Sequence, residues 1–539
     1  MSADCNARHP HCENPMSTVR DNKGWPSTSV ACGLIVAAVA AAYSNSLEYP
    51  FLFDGIPLAE GLRTLSLADP AGWFLPRPRT FGFLTFEFQN TLHGMWLPGF
   101  HVVNIAIHAA AACLLFLITR GVTTPRLGPQ RAAVAALFTA LLWSLHPLQT
   151  HSVTYLYQRF ESLMGLLFLG GLYCLWRAAA SGGSRLAPWQ WLAASYACVL
   201  LSIATKEVGI TALPVFLLFD RAFLAGSWRE VFSRRGWYYG ALLAIVGAGV
   251  GYVLLNRGHY LAGGLLCAQR VSTWQYLRTQ PEVIGHYLAQ AIWPSRLCID
   301  PSWPVQDDPP RLAIAWGLVA AATAGSAWLW RRNPQLGFLP LAFALVLAPT
   351  SSFAPTIDLA FEHRIYLSLA CVAAAIAVGT VQSFSDLRLS TAVLGTVALA
   401  LANATHQRNT VHTSPLSLWA DAAIKTPHST KAWANLGTAL EEAGDREAAA
   451  RAYGEIVSLY RGAAGFEPHP LADIARRVPR TIEYVWYGYA RLANFVLDSG
   501  DATAARRLYA EITRLPSLPQ GCLDHPQIKA LRERLDSTH

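Results

Sequence analysis

Ionisable side chains at the edges of apolar stretches are the residues of this chain best suited to chemistry. A charged group costs free energy beside lipid, so its presence there favours a functional role. The group comprises Asp54 in YPFLFDG, Arg159 and Glu161 in YQRFESL, Lys206 and Glu207 in ATKEVGIT, and Glu362, His363 and Arg364 in FEHRIYL. One carboxylate among several cations supplies a base that removes a proton and a clamp that holds an anion. The sequence therefore predicts a site for a reaction that needs both.

A structural role explains some of the same residues. Lys206 with Glu207, and Arg159 with Glu161, could form ion pairs at helix ends or extend toward water on their aliphatic stems. Residues two apart do not face each other on a helix, so Arg159 and Glu161 each need a separate partner. The Glu-His-Arg triplet stands between a proline-rich loop and an apolar stretch, which favours function. Both interpretations stay open at this point.

The elements that must position these residues are membrane helices. The chain of 539 residues is 53% hydrophobic and only 14% charged, and its mean hydropathy of +0.28 excludes an ordinary soluble enzyme. Apolar runs long enough for membrane helices predict roughly eleven crossings and an all-α, polytopic membrane protein. They lie at 29–46, 100–119, 132–146, 152–177, 187–205, 207–220, 237–255, 312–330, 336–349, 365–383 and 389–403.

Basic residues collect in alternate loops between these runs. With the N-terminus inside, the inner loops hold Arg120, Arg126 and Arg131; Arg177 and Arg185; Arg221, Arg229, Arg234 and Arg235; Arg331 and Arg332; and Arg388. Because positive residues accumulate in cytoplasmic loops, the pattern predicts this orientation. The net charge of +8 is then explained by the orientation of the protein in the membrane. We therefore expect no nucleic-acid partner.

This topology predicts three regions. Residues 1–28 form a cytosolic tail, 29–404 a transmembrane domain, and 405–539 a domain on the outer side. The segment 47–99 and the loop 256–311 also lie outside, together with Asp54. Segment 47–99 is rich in aromatic residues, arginine and proline, and so predicts helices lying on the outer leaflet; the stretch 273–294 has the same character. In a bacterium, the protein would span the inner membrane and place its last domain in the periplasm.

The ten cysteines predict neither a metal centre nor a disulfide framework. CNARHPHC near the N-terminus has no standard zinc spacing and is better explained by a disordered tail. Cys267 and Cys298 share one predicted outer loop and could form a disulfide. No cofactor is predicted; a divalent metal is compatible with the residues but not implied by them.

The outer domain has the spacing of tetratricopeptide repeats. One copy contains Trp433, Leu436, Gly437, Leu440, Gly444, Ala449 and Tyr453, and a weaker copy contains Tyr489, Leu492, Ala493, Val496, Gly500, Ala505 and Tyr509. GDATAARRLY repeats the pattern of GDREAAARAY. Two copies cannot bury their apolar faces alone, so we expect a third partner, either the helix with LSLWADAAIK or the membrane domain. Generic helical hairpins are the alternative.

Seven stretches in order resemble the transmembrane and tetratricopeptide-repeat proteins, relatives of the protein O-mannosyltransferases in the GT-C class of glycosyltransferases. They are YPFLFDG, RPRTFGFLTFEFQ, GFHVVNIAIHAAAACLL, LLWSLHPLQTHSVTYLYQRFESL, ATKEVGITALPVFLLFD, APTSSFAPTIDLAFEHRIYLSLA, and RNTVHTSPLSLWADAAIKTPHSTKAWANLGTAL. The resemblance covers nearly the whole chain. It implies a GT-C type bundle that takes a sugar from a polyprenyl-phosphate donor and passes it to a Ser or Thr hydroxyl of a protein.

The resemblance also implies roles for individual residues. The family's first outer loop carries an acidic catalytic residue, usually one of a pair; Asp54 matches the first, and Gly55 replaces the second. His151 stands where the family more often has an acidic residue. The donor phosphate is expected at Arg364, Lys206, Arg159 and His363, with support from Glu207, Glu362, Glu161, Arg77, Arg79, His101 and His146. The repeats would bind the acceptor protein through a groove containing Trp433, Asn435 and Tyr453.

Other functions remain to be weighed. A transporter would also bury charges, but no internal symmetry between halves is apparent in the sequence. An inactive scaffold that binds partners through its repeats would explain the loss of the second acid at Gly55. Within the enzyme class, the acceptor could be a lipid-linked oligosaccharide or a cell-envelope glycan.

Overall fold

The computed structural model describes residues 27–64, 79–180, 186–255, 271–352, 355–356, 358–465, 469–479, 481–515 and 525–538. All the regular elements in these ranges are helices, which confirms the all-α fold class. The cytosolic tail with CNARHPHC, Arg77 and Cys267 lie outside the described residues. The predicted pairing of Cys267 with Cys298 therefore stays a prediction.

The first fourteen helices cover the predicted membrane domain. They are α1 (Thr28–Tyr43), α2 (Gly55–Thr64), α3 (Thr80–His93), α4 (Leu97–Ser144), α5 (Thr150–Val153), α6 (Arg159–Ala179), α7 (Pro188–Thr205), α8 (Ala212–Phe219), α9 (Trp228–Leu255), α10 (Thr273–Ile292), α11 (Pro309–Arg332), α12 (Pro334–Leu347), α13 (Leu369–Ser383) and α14 (Leu387–Asn409). Seven more follow: α15 (Pro415–Lys425), α16 (Thr430–Glu442), α17 (Arg446–Ala463), α18 (Ala472–Arg477), α19 (Thr481–Asp498), α20 (Ala502–Thr513) and α21 (Pro526–Ser537).

Each predicted apolar run coincides with helical structure. Within the described residues, five stretches are long and apolar enough to cross a membrane: Thr28–Ser46, Leu97–Ser144, Leu156–Ala179, Pro309–Arg332 and Leu387–His412. Pro334–Thr350 and Leu369–Ser383 are shorter apolar helices. These helices support an integral, multi-pass membrane protein. The count of eleven crossings and their orientation stay predictions.

Helix α4 contains two of the predicted crossings. Gly128 breaks it with φ 74° and ψ 166°, between Pro125 and Pro129. The two halves then lie side by side in opposite directions. The contact between the His108 ring and the Ser144 carbonyl at 3.0 Å shows this arrangement. The turn falls in the loop predicted to be inside, where glycine supplies a backbone conformation that other residues avoid.

Helix α11 has the pattern of a helix surrounded by lipid. Its residues are apolar, yet none is buried against the rest of the protein. It contacts α10 and α12 along part of its surface only, and the apolar surface left open needs another apolar environment, which the bilayer provides. Arg331 and Arg332 end the helix at the predicted inner side.

The C-terminal helices form consecutive pairs with their own core. Helices α16 and α17 pack together, as do α19 and α20. Their shared core includes Tyr453, Trp486 and Tyr489, all buried. Helix α15, which carries LSLWADAAIK, packs on α16 through Leu418 and Trp419. This arrangement supplies the third partner that two helix pairs require.

Polar contacts attach the C-terminal helices to the segment between α10 and α11. Lys431 on α16 pairs with Asp300 at 2.5 Å. The hydroxyl groups of Ser302 and Ser429 are 2.6 Å apart, and the Val305 N–H donates to the Arg477 carbonyl at 2.8 Å. The repeat region is thus fixed beside the loops that carry the ionisable residues.

Candidate active site

Asp54 lies on a tight turn between α1 and α2. The side chains of Phe51 and Leu52 are buried below it, and the Gly55 N–H donates to the Leu52 carbonyl at 2.8 Å. The Asp54 N–H donates to the hydroxyl oxygen of Tyr155 at 3.0 Å. The Asp54 side chain itself is exposed. The turn therefore holds a carboxylate at the surface on a firmly anchored backbone.

Backbone strain marks this turn. Phe53 has φ 47°, in the left-handed region that bulky residues rarely occupy. Its ring meets Trp419 of α15 edge-on, with 5.2 Å between centroids, and the ammonium of Lys431 lies 4.8 Å from its centroid. Such conformations persist where surrounding contacts enforce them, and they concentrate at functional sites.

Helix capping explains Asp54 poorly. A capping Asp accepts from the N–H of the second or third helical residue. In α2 the third residue is Pro57, which has no N–H, and the N–H of the second, Ile56, donates to the Phe53 carbonyl at 3.0 Å. The usual structural reason for an Asp at this position is thereby weakened.

Little space surrounds Gly55, where the second acid of the resemblance is missing. A Cβ added there would lie 3.3 Å from the Phe51 ring and 3.7 Å from the Tyr157 Cβ. A carboxylate on residue 55 would displace one of these aromatic side chains. Gly55 therefore fits the packing that anchors the turn.

A partly buried ion pair lies near this turn. The Arg79 guanidinium makes a forked contact with Glu207, with Nη2–Oε1 at 2.9 Å and Nε–Oε1 at 3.3 Å. Both side chains are close to 30% exposed. Arg79 also has a left-handed backbone, with φ 62°, at the start of α3. Tyr157 lies within electrostatic reach of both Arg79 and Asp54, which links the pair to the turn.

A second pair is buried behind the first. Lys206 ends α7 in an extended conformation, and its ammonium contacts the Glu161 carboxylate of α6. Lys206 is 5% and Glu161 1% exposed. Burial lowers the pKa of Lys206, while Glu161 counteracts this shift. Lys206 and Glu207 therefore do not pair with each other; each reaches a different helix.

Two buried histidines face each other beside these pairs. The rings of His151 and His363 are 5.0 Å apart and nearly perpendicular. Burial lowers the pKa of both well below the usual range, with further lowering of the His363 pKa by Lys206. Both rings are therefore neutral near pH 7, and each Nδ1 lacks a hydrogen-bond partner in the described residues. His363 can donate a hydrogen bond to an anion without carrying charge. In the same residues no three His, Cys, Asp or Glu side chains are grouped as metal ligands.

The carboxylate of Glu362 is buried between outer-loop and helix groups. It accepts from the Cys298 N–H at 2.5 Å, and Arg408 lies 4.0 Å away. Burial raises the pKa of Glu362 to about 7, against the opposing effect of Arg408. Arg408 is also bound to Asp421 of α15 at 2.9 Å. Glu362 thus connects the FEHR segment to the repeat region.

Arg364 is occupied by its own loop. Both terminal nitrogens donate to neighbouring oxygens, including the Leu359 carbonyl at 3.0 Å, the Asp358 carbonyl at 2.7 Å and the Thr356 hydroxyl at 2.9 Å. A residue bound in this way shapes the loop that carries His363. It has few donors left for a phosphate, although sequence alone ranks it first.

Arg159 is fully buried below the site. Its Nε donates to Asn104 at 2.6 Å and its Nη2 to the Phe100 carbonyl at 3.1 Å, and the guanidinium lies 3.9 Å from the Phe86 ring centroid. Glu161 therefore pairs with Lys206, while Arg159 uses a different set of partners, as their spacing of two residues requires.

The predicted supporting histidines are structural. His101 contacts the Tyr49 carbonyl at 2.9 Å. His146 caps the following turn through the Leu148 N–H and contacts the Ala291 carbonyl at 3.2 Å. Both rings fix the chain around the site without reaching its open side.

Lys431 joins the site, although no sequence motif indicated it. Its ammonium pairs with Asp300 and approaches Asp358 at 3.7 Å, and it lies near the rings of Phe53 and Phe361. These phenylalanines precede Asp54 and Glu362 in the sequence. Burial alone would lower the pKa of Lys431, but Asp300 and Asp358 outweigh it and hold the pKa above the usual range. A lysine buried in a repeat helix is the signal that could have identified it.

The predicted acceptor groove needs a correction. Tyr453 is fully buried against Tyr487 and Phe495, so it is a core residue of the repeats and not part of an open groove. Asn435 donates to the Lys431 carbonyl of its own helix, and Trp433 donates to the Pro427 carbonyl. Trp433 and Asn435 are partly exposed, so an acceptor groove at these two residues stays a prediction.

Comparison with known proteins supports the resemblance inferred from the motifs. The chain is 24% identical over 511 residues to protein O-mannosyl-transferase Tmtc3 of Drosophila melanogaster, covering 79% of this chain and 54% of that protein. It is 29% identical over 229 residues to human protein O-mannosyl-transferase TMTC1, covering 36% and 25%. The chain thus spans about half or less of the length of these curated relatives. No family model matches the sequence.

Two solved structures align with most of the chain. The crystal structure of ArnT from Cupriavidus metallidurans in the apo state has a TM-score of 0.40 and 16% identity, covering 90% of this chain and 81% of that one. The cryo-EM structure of the arabinosyltransferase EmbB from Mycobacterium smegmatis has a TM-score of 0.32 and 16% identity, covering 79% and 44%.

Proposed function

We propose that this protein is a membrane glycosyltransferase of GT-C type that moves mannose or a similar hexose from a polyprenyl-phosphate donor to Ser or Thr hydroxyls of a protein. Transfer takes place at the outer membrane face. The names of the curated relatives support O-mannosyl transfer. The single observation that carries the proposal is the exposed Asp54, held on a strained turn and sharing Tyr157 as an electrostatic neighbour with Arg79.

The reaction is a single displacement. Asp54 removes the proton of the acceptor hydroxyl while the hydroxyl oxygen bonds to C1 of the sugar. The bond between C1 and the phosphate oxygen breaks, and the polyprenyl phosphate leaves with the electron pair. Attack from the side opposite the phosphate inverts the configuration at C1.

The leaving phosphate gains negative charge and needs donors that remain accessible. Arg79 fits this role best because its guanidinium is partly exposed and lies in reach of Tyr157, next to the Asp54 turn. Lys206 and His363 add a cation and a neutral donor from behind. Arg364 then acts on the site by holding its loop, since its donors are engaged. Arg159 is fully buried, so it supports the site from below through Nε and Nη2. Electrostatic stabilisation of developing charge is the largest single contribution in many enzymes.

The repeat region would bring the acceptor to Asp54. Trp419 of α15 and Lys431 of α16 touch Phe53, so a polypeptide bound along the helix pairs arrives beside the turn. Binding there raises the effective concentration of a hydroxyl at the base. Residues from about 429 onward should then matter more for transfer to a whole protein than to a short peptide in excess.

The proposal is tested with the purified full chain in detergent, polyprenyl-phosphate mannose and a Ser/Thr-containing peptide. Mass spectrometry should show one added hexose on the peptide and none on a matched peptide with Ala in place of Ser and Thr. Transfer only to a glycan or a lipid-linked oligosaccharide would replace the protein acceptor. If neither acceptor gains a hexose and the donor stays intact, an inactive scaffold that binds partners would be the better explanation.

A further inference from the structure

The membrane domain contains an apolar cavity that the candidate active site does not use. Its volume is about 160 Å³, and most of the side chains that line it are apolar. Helices α4, α6, α8, α12 and α13 form its walls. We refer to it as the apolar slot, because its shape follows the helices.

The residues that line the slot show that it is long and narrow. On α4 they run from Leu115 to Leu127, twelve steps along the helix, which corresponds to about 18 Å. On α13 they run from Ala370 to Gln382, or about 18 Å. Half of a hydrocarbon core of about 30 Å is about 15 Å, so the slot has the length of one leaflet.

Polarity changes along the slot. The deep part is lined by buried apolar residues such as Leu169, Val346 and Ala370. Polar side chains occur at the opposite end, where Arg126, Gln335 and Gln382 meet. Arg126 and Gln382 are exposed, and Arg126 makes no ion pair or hydrogen bond within the part of the chain that the structure describes. An apolar channel that ends at a free cation matches an acyl chain below an anionic headgroup.

The polar end lies far from the candidate active site. Arg126 is 22 residues beyond Asn104, the partner of Arg159, along the same half of α4, which corresponds to about 33 Å. That distance equals the thickness of a bilayer core. Arg126 also belongs to a loop predicted to be inside by its positive charge.

We propose that the apolar slot binds one acyl chain of an anionic phospholipid from the inner leaflet, with its phosphate at Arg126. Gln335 and Gln382 donate hydrogen bonds to the headgroup, and the chain fills the space between α4, α6 and α13. A bound lipid then packs five helices together from within. This site is separate from the donor at the outer face and does not depend on the proposed transfer reaction.

Native mass spectrometry of the full chain in detergent tests the proposal. Phosphatidylglycerol should bind more tightly than phosphatidylcholine with the same acyl chains. Ala374→Phe fills the slot and should weaken phosphatidylglycerol binding by about tenfold or more, because the acyl chain loses its buried surface. Its matched control is Ala375→Phe, since Ala375 is the next residue and is exposed. Equal binding by the two Phe variants would overturn the proposal.

The headgroup is tested separately. Arg126→Gln should remove most of the preference for phosphatidylglycerol, whereas Arg388→Gln, an exposed inner-side arginine outside the slot, should not. An unchanged preference in Arg126→Gln would contradict the headgroup assignment. Displacement of phosphatidylglycerol by polyprenyl phosphate would assign the slot to the donor's tail and also overturn the proposal.

A labelling experiment on the unmodified protein keeps the proposal testable if Ala374→Phe does not fold. Phosphatidylglycerol with a photoreactive group at the acyl end should label peptides from α6 and α13, near Leu169 and Ala370. Labelling confined to α11, which has no buried residue and does not line the slot, would contradict a bound chain.

Discussion

Positive φ angles occur at turns in both the repeat region and the candidate active site, but on different residues. In the repeats Gly444 and Gly500 adopt φ 85° and 93°, and the next residue, Asp445 or Asp501, caps the following helix. Glycine takes this conformation without steric cost. At the active site the residues with positive φ are Phe53 and Arg79, side chains that pay a steric penalty there.

The difference indicates what each region is built for. Local structure, capping and packing agree in the repeats, as expected of a segment selected for stable folding. At the site, packing forces a strained backbone and places an exposed carboxylate beside buried ion pairs. We therefore expect substitutions in the repeats to act on stability, and substitutions at the exposed site residues to act on transfer. The predictions follow in order of decreasing effect on the free energy of unfolding.

Breaking the buried pair should have the largest effect. Lys206→Met leaves the Glu161 carboxylate buried without a counter-ion and should lower the free energy of unfolding by about 3–5 kcal/mol. Thermal unfolding in detergent measures it. The double variant Lys206→Met/Glu161→Leu should regain most of this stability, because the buried charge is gone, but should not regain transfer. Recovery of both would make the pair purely structural.

Glu362 should make stability depend on pH. Its pKa in the folded protein is about 7, above its ordinary 4.5, so the folded state binds the proton more tightly. This contribution is full below about pH 4.5 and is lost as the pH rises through 7, amounting to about 3 kcal/mol. Glu362→Gln stays neutral, so its melting temperature relative to the natural protein should rise between pH 5 and pH 8. A constant difference across that range would show that Glu362 does not titrate there.

Gly437→Ala tests the repeat region. The added Cβ would lie 2.6 Å from the ring of Tyr453, which is fully buried and cannot move away freely. Overpacking of this kind should cost about 1–3 kcal/mol. Gly454→Ala on the next helix is the control, because nothing lies within 4 Å of its added Cβ. Transfer to a short peptide, measured per folded molecule, should be unchanged in both; a specific loss in Gly437→Ala would give the repeats a catalytic role.

Arg79→Lys should reduce transfer while leaving stability nearly unchanged. The pair with Glu207 is about 30% exposed, so its loss should change stability by less than about 1 kcal/mol. Lysine cannot reproduce the fork of the guanidinium, and transfer should fall by about tenfold. Arg63→Lys is the control, because Arg63 is an exposed arginine on α2. Normal turnover of Arg79→Lys would remove it from the phosphate site.

Much of the fold could be predicted from the sequence because an apolar run in lipid must satisfy its own backbone hydrogen bonds, and a helix does so. Each run that is long enough to cover the backbone in lipid became helical. The ionisable motifs were also identifiable, since charge at the edge of an apolar run is costly. The sharp turn at Gly128 and the partner of each charged side chain could not be predicted, because they depend on contacts between distant segments.

Arg364 and Lys431 illustrate what sequence reasoning could not reach. Arg364 seemed the best phosphate ligand by type, but the loop from Asp358 folds back and uses its donors. No sequence motif includes Lys431, yet packing of α16 on the segment between α10 and α11 buries it between Asp300 and Phe53. Both outcomes are set by tertiary structure, which residue type and spacing do not encode.

Asp54→Asn should have the smallest effect on stability and tests the proposed base most directly. The substitution keeps the size of the side chain but removes its basicity, and Pro57 deprives an Asp or Asn cap of one of its two usual N–H partners. Glu60→Gln, at an exposed position on α2 just after this turn, is the matched control.

The decisive measurement is the rate of hexose transfer to a Ser/Thr peptide by purified Asp54→Asn protein, together with its melting temperature. We predict an unchanged melting temperature and a transfer rate reduced by about a hundredfold or more. Full transfer, or a loss of activity that parallels a loss of stability, would contradict Asp54 as the catalytic base.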